Sequence, residues 1–292
     1  MSIGGRFFTV LAGACGAVIA AIGAAVAQHV VGPVDGAIGL QPAATEVARD
    51  ITSFHTMLVW IITVITLFVL ALLLYVMVRF NRSANPVPKK FTHNMTVEVI
   101  WTVVPVIILV VISAFSFPLL FKEEQIPPAG LTIKATGNTW NWTYSYDEQK
   151  VEFTSNPLSE GDAKAQSRPF RMAVDEPMYV PVNVTVRMLI TSNDVIHAFS
   201  VPSFGIKEDA VPGRVNETWF KVEEPGIYYG FCQELCGLNH SFMPIEVRVV
   251  SKPEFDAWIN AHGGQLAAAP AATDAVPAAP TPPAPAPAGQ PG

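Results

Sequence analysis

Tyr228-Tyr229-Gly230-Phe231-Cys232-Gln233-Glu234-Leu235-Cys236-Gly237-Leu238-Asn239-His240-Ser241-Phe242-Met243-Pro244 is the stretch on which the reading of this chain turns. It holds two cysteines, a histidine and a methionine in the pattern Cys-x3-Cys-x3-His-x2-Met. All four are soft or borderline metal donors. An aromatic run from Ile227 to Phe231 leads in and an alternating run from Ile245 to Val250 leads out, so one loop between two strands can aim four donors at one point. Zinc sites usually take two Cys-x2-4-Cys or His-x3-5-His pairs, and a methionine ligand is not expected. Cys, His and Met donors together suit copper. A single blue-copper site needs one Cys; two thiolates can instead bridge two ions, which favours electron transfer over substrate chemistry. Cys232 and Cys236 could also form a disulfide or join a structural zinc site, but a disulfide leaves His240 and Met243 at those offsets unexplained.

A second histidine is needed, and His197 in Asn193-Asp194-Val195-Ile196-His197-Ala198-Phe199-Ser200 is the candidate. Together with Lys207 to Arg214 and Gly230 to Ile245, this segment resembles subunit II of haem-copper cytochrome c oxidase. The likeness spans roughly residues 45 to 262. It implies a cupredoxin domain with a binuclear copper A centre held by His197, Cys232, the Glu234 carbonyl, Cys236, His240 and Met243. It also implies a Mg2+ shared with subunit I through the Glu234 side chain, and an interface shaped by Lys207, Asp209 and Arg214. Electrons would come from cytochrome c near Trp140 and leave to a haem in subunit I, where oxygen is reduced. Subunit III is a further implied partner, and no catalytic acid–base or nucleophilic constellation is expected in this chain.

The rest of the chain reads as a means of placing that loop beside a membrane. Half of the 292 residues are hydrophobic and only 14% are charged. Leu58 to Val78 and Val99 to Phe121 carry no charge. Each is long enough to cross a bilayer core of about 30 Å as a helix. We expect a transmembrane hairpin over 52–121, with spans at 52–78 and 99–121. The linker carries Arg79, Arg82, Lys89 and Lys90 and no acid, which assigns it to the cytoplasm and both ends of the hairpin to the other side of a bacterial inner membrane. Ser and Thr positions such as Ser53, Thr56, Thr63 and Thr66 suit packing on further helices as well as lipid. Glu98, in Val97-Glu98-Val99-Ile100-Trp101, can be a plain interfacial anchor; the resemblance gives it a role at the mouth of a proton pathway.

Residues 1–27 read as a signal peptide: Arg6, an apolar run, then Ala25-Val26-Ala27 before Gln28. An additional transmembrane helix, or lipidation at Cys15, are the other readings. Residues 28–51 read as an irregular exported segment. After Phe121 the chain has 20 acidic and 12 basic residues. With no basic cluster, nucleic acid is not an expected partner. The acidic excess can be a plain solvated surface or can steer a basic partner; the resemblance makes that partner cytochrome c, with Asp147, Glu148, Glu152 and Asp194 as candidate docking acids. Alternating runs at Leu131–Thr136, Trp140–Tyr146, Met178–Thr191, Glu217–Val222, Ile227–Phe231 and Ile245–Val250 predict an all-β sandwich or barrel over 122–262. The period of two puts Trp140, Trp142, Tyr144 and Tyr146 on one face. In the related family this Trp lies in a Gly-His-Gln-Trp setting; Gly137-Asn138-Thr139-Trp140 departs from it. Ser251 to Glu254 predicts a capped helix ending near His262, and the Ala/Pro-rich segment 263–292 reads as disordered. A quinol oxidase subunit would share the fold and lack these ligands, whereas a copper chaperone would bind a single ion.

Overall fold

The structure is a computed structural model that describes residues 29–266. The expected signal peptide, Cys15 and nearly all of the Ala/Pro-rich tail lie outside those residues. Two long helices precede the main β-domain, α1 (Glu46–Arg79) and α2 (Met95–Glu124), and both are long and apolar enough to cross a membrane. At 1.5 Å per residue they are about 50 and 45 Å long, longer than the two expected spans. The excess has a local cause at each end. Thr45 caps α1 by accepting from Ala48 N at 3.0 Å, and Asn94 caps α2 by accepting from Val97 N. The reading of 28–51 as irregular is therefore corrected: 46–51 belong to α1, and Val30–Val31 form a short strand, β1.

A two-sheet β-domain follows. One sheet has the order β4 (Val151–Ser155), β3 (Asn141–Tyr146), β2 (Leu131–Asn138), β6 (Thr185–Ser192), β9 (Asn216–Lys221). The other runs β5 (Met178–Pro181), β11 (Pro244–Val250), β10 (Gly226–Cys232), β7 (His197–Val201), β8 (Ile206–Ala210), with β1 added in parallel to β10. Alternation explains the packing: β2 and β6 bury every second residue, and Ile133, Ala135, Val186, Met188 and Ile190 point inward. They meet Phe199, Tyr228, Ile245 and Val247 of the facing sheet in one core.

Two expectations change here. The run Met178–Thr191 is two strands in different sheets, because Asn183 adopts a left-handed backbone (φ 61°) and turns the chain between them. The aromatic row also divides. Trp142, Tyr144 and Tyr146 fill the core, whereas Trp140 precedes the strand, is half-buried, and points elsewhere. Short helices α3 (Glu160–Ala165) and α4 (Lys252–Ala261) complete the chain, and α4 carries the expected Ser251–Glu254 capping box.

The β-domain is fixed to the helices at one corner. Thr45 Oγ1 donates to Phe204 O at 2.8 Å, and Ala44 N to Ser203 O at 2.8 Å. Arg49 pairs with Glu223, and Trp219 Nε1 donates to Glu123 O at 3.1 Å. Lys122 binds Glu46 and Asp50, tying α2 to α1. Gly205 sits at the centre of the junction with φ 74°; a Cβ there would lie 3.0 Å from the Ala48 backbone and 2.9 Å from Ile51 Cδ1. A Gly205→Val substitution combines backbone strain with a clash, and should cost about 1–3 kcal/mol. Thermal unfolding of the detergent-solubilised protein measures this; a melting temperature equal to the parent's would refute it.

Candidate metal centre

The site lies where β7, β10 and the loop from β10 to β11 meet. The β10–β7 register sets Cys232 opposite Phe199 and Phe231 opposite Ser200. The loop then closes on itself, with Cys232 N donating to Met243 O at 3.1 Å and Gln233 N to Ala198 O at 3.1 Å. A tight turn (His240 N to Gly237 O, 3.2 Å) returns the chain. His197 stands at the first position of β7.

These constraints produce a row of donors. His197 Nδ1 lies 3.9 Å from Cys232 Sγ, which lies 3.8 Å from Cys236 Sγ, which lies 3.7 Å from His240 Nδ1. The Glu234 carbonyl lies 3.3 Å from Cys232 Sγ. Donor atoms of His197, Cys232 and Cys236 all fall within 4.8 Å of one another, and all three residues are buried. Met243 is also buried, in the core cluster that contains both cysteines. Both cysteines are free thiols, as a 3.8 Å separation requires: a disulfide bond is about 2.05 Å. Two sulfurs each about 2.3 Å from one tetrahedral ion stand about 3.8 Å apart. The donor set therefore fits a thiolate–imidazole metal site of the copper-binding kind.

The protonation pattern fits as well. Asp194 Oδ1 lies 2.8 Å from His197 Nε2. A carboxylate only accepts, so Nε2 carries a proton, while Nδ1 faces the Cys232 sulfur. Asp194 also accepts from Thr139 N at 2.7 Å and from the Thr139 hydroxyl. Burial pushes its acidity down in strength, but these hydrogen bonds outweigh burial and hold the carboxyl well below the usual carboxylate range. For His197 burial works against the charged form, yet Cys232 and Asp194 raise its pKa. Burial likewise raises Cys232, but hydrogen bonds from His197, the Ala198 and Glu234 backbone and His240 bring it down to about 6. Burial, then the neighbouring Cys232 charge, raises Cys236 to about 12. Gly137 leaves room for the His197 ring: a Cβ there would lie 2.8 Å from Cδ2.

The other expected site residues separate. Trp140 comes to the loop and its Nε1 donates to Cys236 O at 3.2 Å. Nearby, Asn138 bonds Asn141, Thr143 and Asn193. The docking acids do not gather around Trp140. Asp147 and Glu148 lie at the opposite end of β3, about 20 Å away at 3.3 Å per residue, and Glu152 pairs beside Ser145 near that same end. Asp194 is close to Trp140, but its carboxylate is committed to His197 and Thr139. The spacing Asp194-x-x-His197 was the available signal for this orienting role. The Glu234 side chain is half-buried beside the donor row. Glu98 accepts from Asn94 N at 3.3 Å at the start of α2, far along the helix from the donor row. Lys207 and Asp209 lie on β8, whose Glu208 borders a cleft with Glu123, Glu124 and Glu217; burial, then Asp209 and Glu124, raise the Glu208 pKa.

A cupredoxin-like domain on two apolar helices, with a bis-thiolate, bis-imidazole cluster of which His197, Cys232 and Cys236 are buried, defines a class of redox subunit. Residues 131–250 match the family described as cytochrome C oxidase subunit II, periplasmic domain, and residues 33–119 match its transmembrane domain. A probable cytochrome c oxidase subunit 2 of Rickettsia bellii is 50% identical over 228 residues, covering 78% of this chain and 84% of that one. The cytochrome c oxidase subunit 2 of Cereibacter sphaeroides is 42% identical over 273 residues, covering 86% and 90%. The crystal structure of the periplasmic domain of subunit II of cytochrome oxidase from Bradyrhizobium japonicum is 48% identical, covers 48% of this chain and 97% of that one, and has a TM-score of 0.45. The chain belongs to the cytochrome c oxidase subunit II family, and is a subunit of that oxidoreductase complex.

The opposed thiol shifts have a direct readout. In metal-free, reduced protein carrying Cys15→Ser, one thiolate should form as pH rises through about 6, while the second stays protonated well past the ordinary thiol value near 9. Thiolate ultraviolet absorption follows both; two coincident titrations near 9 would contradict the geometry.

Proposed function

We propose that the centre holds the binuclear copper A group and that this chain receives electrons from cytochrome c and passes them to haem in subunit I. The observation that carries the reading is the row His197–Cys232–Cys236–His240, in which each sulfur has its own imidazole Nδ1 and shares the space between with the other sulfur. His197, Cys232, the Glu234 carbonyl, Cys236, His240 and Met243 are the ligands. When bound, such a pair supplies a one-electron store whose charge is shared by two ions. The chain's own work is to keep the donors still. Asp194 fixes the His197 ring, the β10–β7 pairing fixes Cys232, and burial keeps water from the sulfurs.

Trp140 gives the electron route its outer end. Its indole bonds directly to the backbone of a ligand residue, and Leu235 and Leu238 of the same loop are 78% and 89% exposed. That apolar rim suits a transient partner better than a folded core. The acids Asp147, Glu148 and Glu152 would act at longer range, through the net negative field. We assign the Glu234 carboxylate to a Mg2+ at the interface with subunit I, since oxygen donors are what that ion takes. Glu98 is assigned to proton uptake from the opposite side of the membrane. With the basic linker in the cytoplasm, the β-domain stands on the periplasmic face of a bacterial inner membrane, with residues 1–27 as its export signal and subunit III as a further neighbour.

Copper analysis and electron spin resonance test the reading: two coppers per chain sharing one unpaired electron are expected, and a single isolated copper or zinc would overturn it. Trp140→Phe should leave that spectrum unchanged and slow electron uptake from cytochrome c by roughly a hundredfold, a barrier increase of about 2.7 kcal/mol. Cys236→Ser should abolish the shared-electron signal.

A further inference from the structure

The segment 156–177, between β4 and β5, is absorbed by nothing described so far. Its neck is pinned: Asn156 N and Nδ2 both donate to Asp175, and Asp175 N donates to Asn156 O at 3.0 Å. Asn141 Nδ2 donates to Asn156 Oδ1 at 3.0 Å, which ties the neck to the residue after Trp140. Beyond the neck, the loop sends two arginines toward the metal loop. Arg168 pairs with Glu246, whose side chain is 0% exposed and which also accepts from Arg248 Nε at 3.1 Å and Val174 N at 3.3 Å. Arg171 places its guanidinium 4.5 Å from the centre of the Phe242 ring, within cation–π range.

One contact lands on the neighbour of a ligand, the other on the strand that follows it. Phe242 immediately precedes Met243 and closes the turn that begins at His240, and Glu246 lies two residues beyond Pro244 on the strand that turn feeds. The backbone is bent to deliver the arginines: Ser167, just before Arg168, has φ 53°, and Arg171 itself has φ 71°. Left-handed non-glycine residues persist only where the surroundings over-determine them. A buried carboxylate is likewise kept only with paired cations. Pro157 of the loop, Trp140, Asn239 and Phe242 line one open cleft of about 300 Å³.

We propose that the 156–177 loop is a positioning clamp on the turn His240–Met243: Arg168 on Glu246 and Arg171 on Phe242 hold the His240 imidazole and the Met243 thioether in ligand geometry. The consequence for copper rests on the copper reading above; the clamp itself does not. Arg168 and Arg171 are positioning residues, since neither is a donor.

The test uses the full chain in detergent with Arg168→Met, Arg171→Gln and Arg171→Lys. In metal-free protein, amide hydrogen exchange over 239–243 should quicken by about tenfold in the first two variants, while β2 and β6 keep the parent's protection. In copper-loaded protein the same variants should lose copper to a chelator about tenfold faster, with an altered copper absorption spectrum, and Arg171→Lys should stay near the parent in both. Unchanged exchange and copper release in folded variants would overturn the clamp, and so would faster exchange spread evenly through β2 and β6, which marks a general loss of stability. If Arg168→Met does not fold, exposed Arg171 decides alone. A parent that binds no copper would sink the copper reading, while the metal-free exchange still judges the clamp.

Discussion

The close approach of β7 and β10 is the constraint on which the molecule depends. A Cβ at Gly230 would stand 2.1 Å from the Ser200 carbonyl, so the two strands meet at a distance only glycine permits. That contact, with the register Cys232 opposite Phe199, is what sets one thiol beside His197, although 35 residues separate them. The β10–β11 pairing then returns the chain, and the loop between can only arch over the end of the sheet. Two sulfurs and two imidazoles thus share a small space before any ion is present. The ordering entropy is met by strand pairing and core burial, not by metal binding alone.

The same economy shows in the charges around the site. Asp194 serves three hydrogen bonds from Thr139 and His197, and so keeps one carboxylate ionised at the edge of an apolar region. Its effect reaches Cys232 through the imidazole, which lowers one thiol while the neighbouring thiol rises. Two adjacent sulfurs in a buried place cannot both ionise without a cation between them. The split in acidity is the direct consequence of that repulsion. Trp142 and Tyr144, in contrast, are buried with an unpartnered indole N–H and hydroxyl among the described residues, and both rings pack edge-on against Phe199.

The helices and the β-domain are coupled through a small corner, not a broad interface. Thr45, Gly205, Arg49 and Trp219 each connect an element of the domain to a helix end. Fixing these ends of α1 and α2 against the sheet sets how far the donor loop stands from the apolar surface of the helices. Most of the remaining helix surface is apolar and uncovered, as expected of helices that meet lipid and other membrane-embedded chains.

Reading along the chain was enough for what depends on local pattern. Charge-free runs of helix length, a basic linker, period-two strands, the Ser251–Glu254 cap and the Cys-x3-Cys-x3-His-x2-Met loop are all properties of neighbours, and each survives in the structure. What failed was long-range or conformational. Asn183 in a left-handed turn splits one alternating run into strands of two different sheets, and no hydrophobic period encodes that. Trp140 shares the period of Trp142 but precedes the strand, so it turns to Cys236 while the others fill the core. Asp194 looked like any surface acid until the fold brought Thr139 and the His197 ring against it. Local sequence determined which donors exist and that they sit beside a membrane; only the packing of one sheet on another decided which side chains hold those donors in place, because hydrogen bonds and close approaches between distant segments leave no periodic trace.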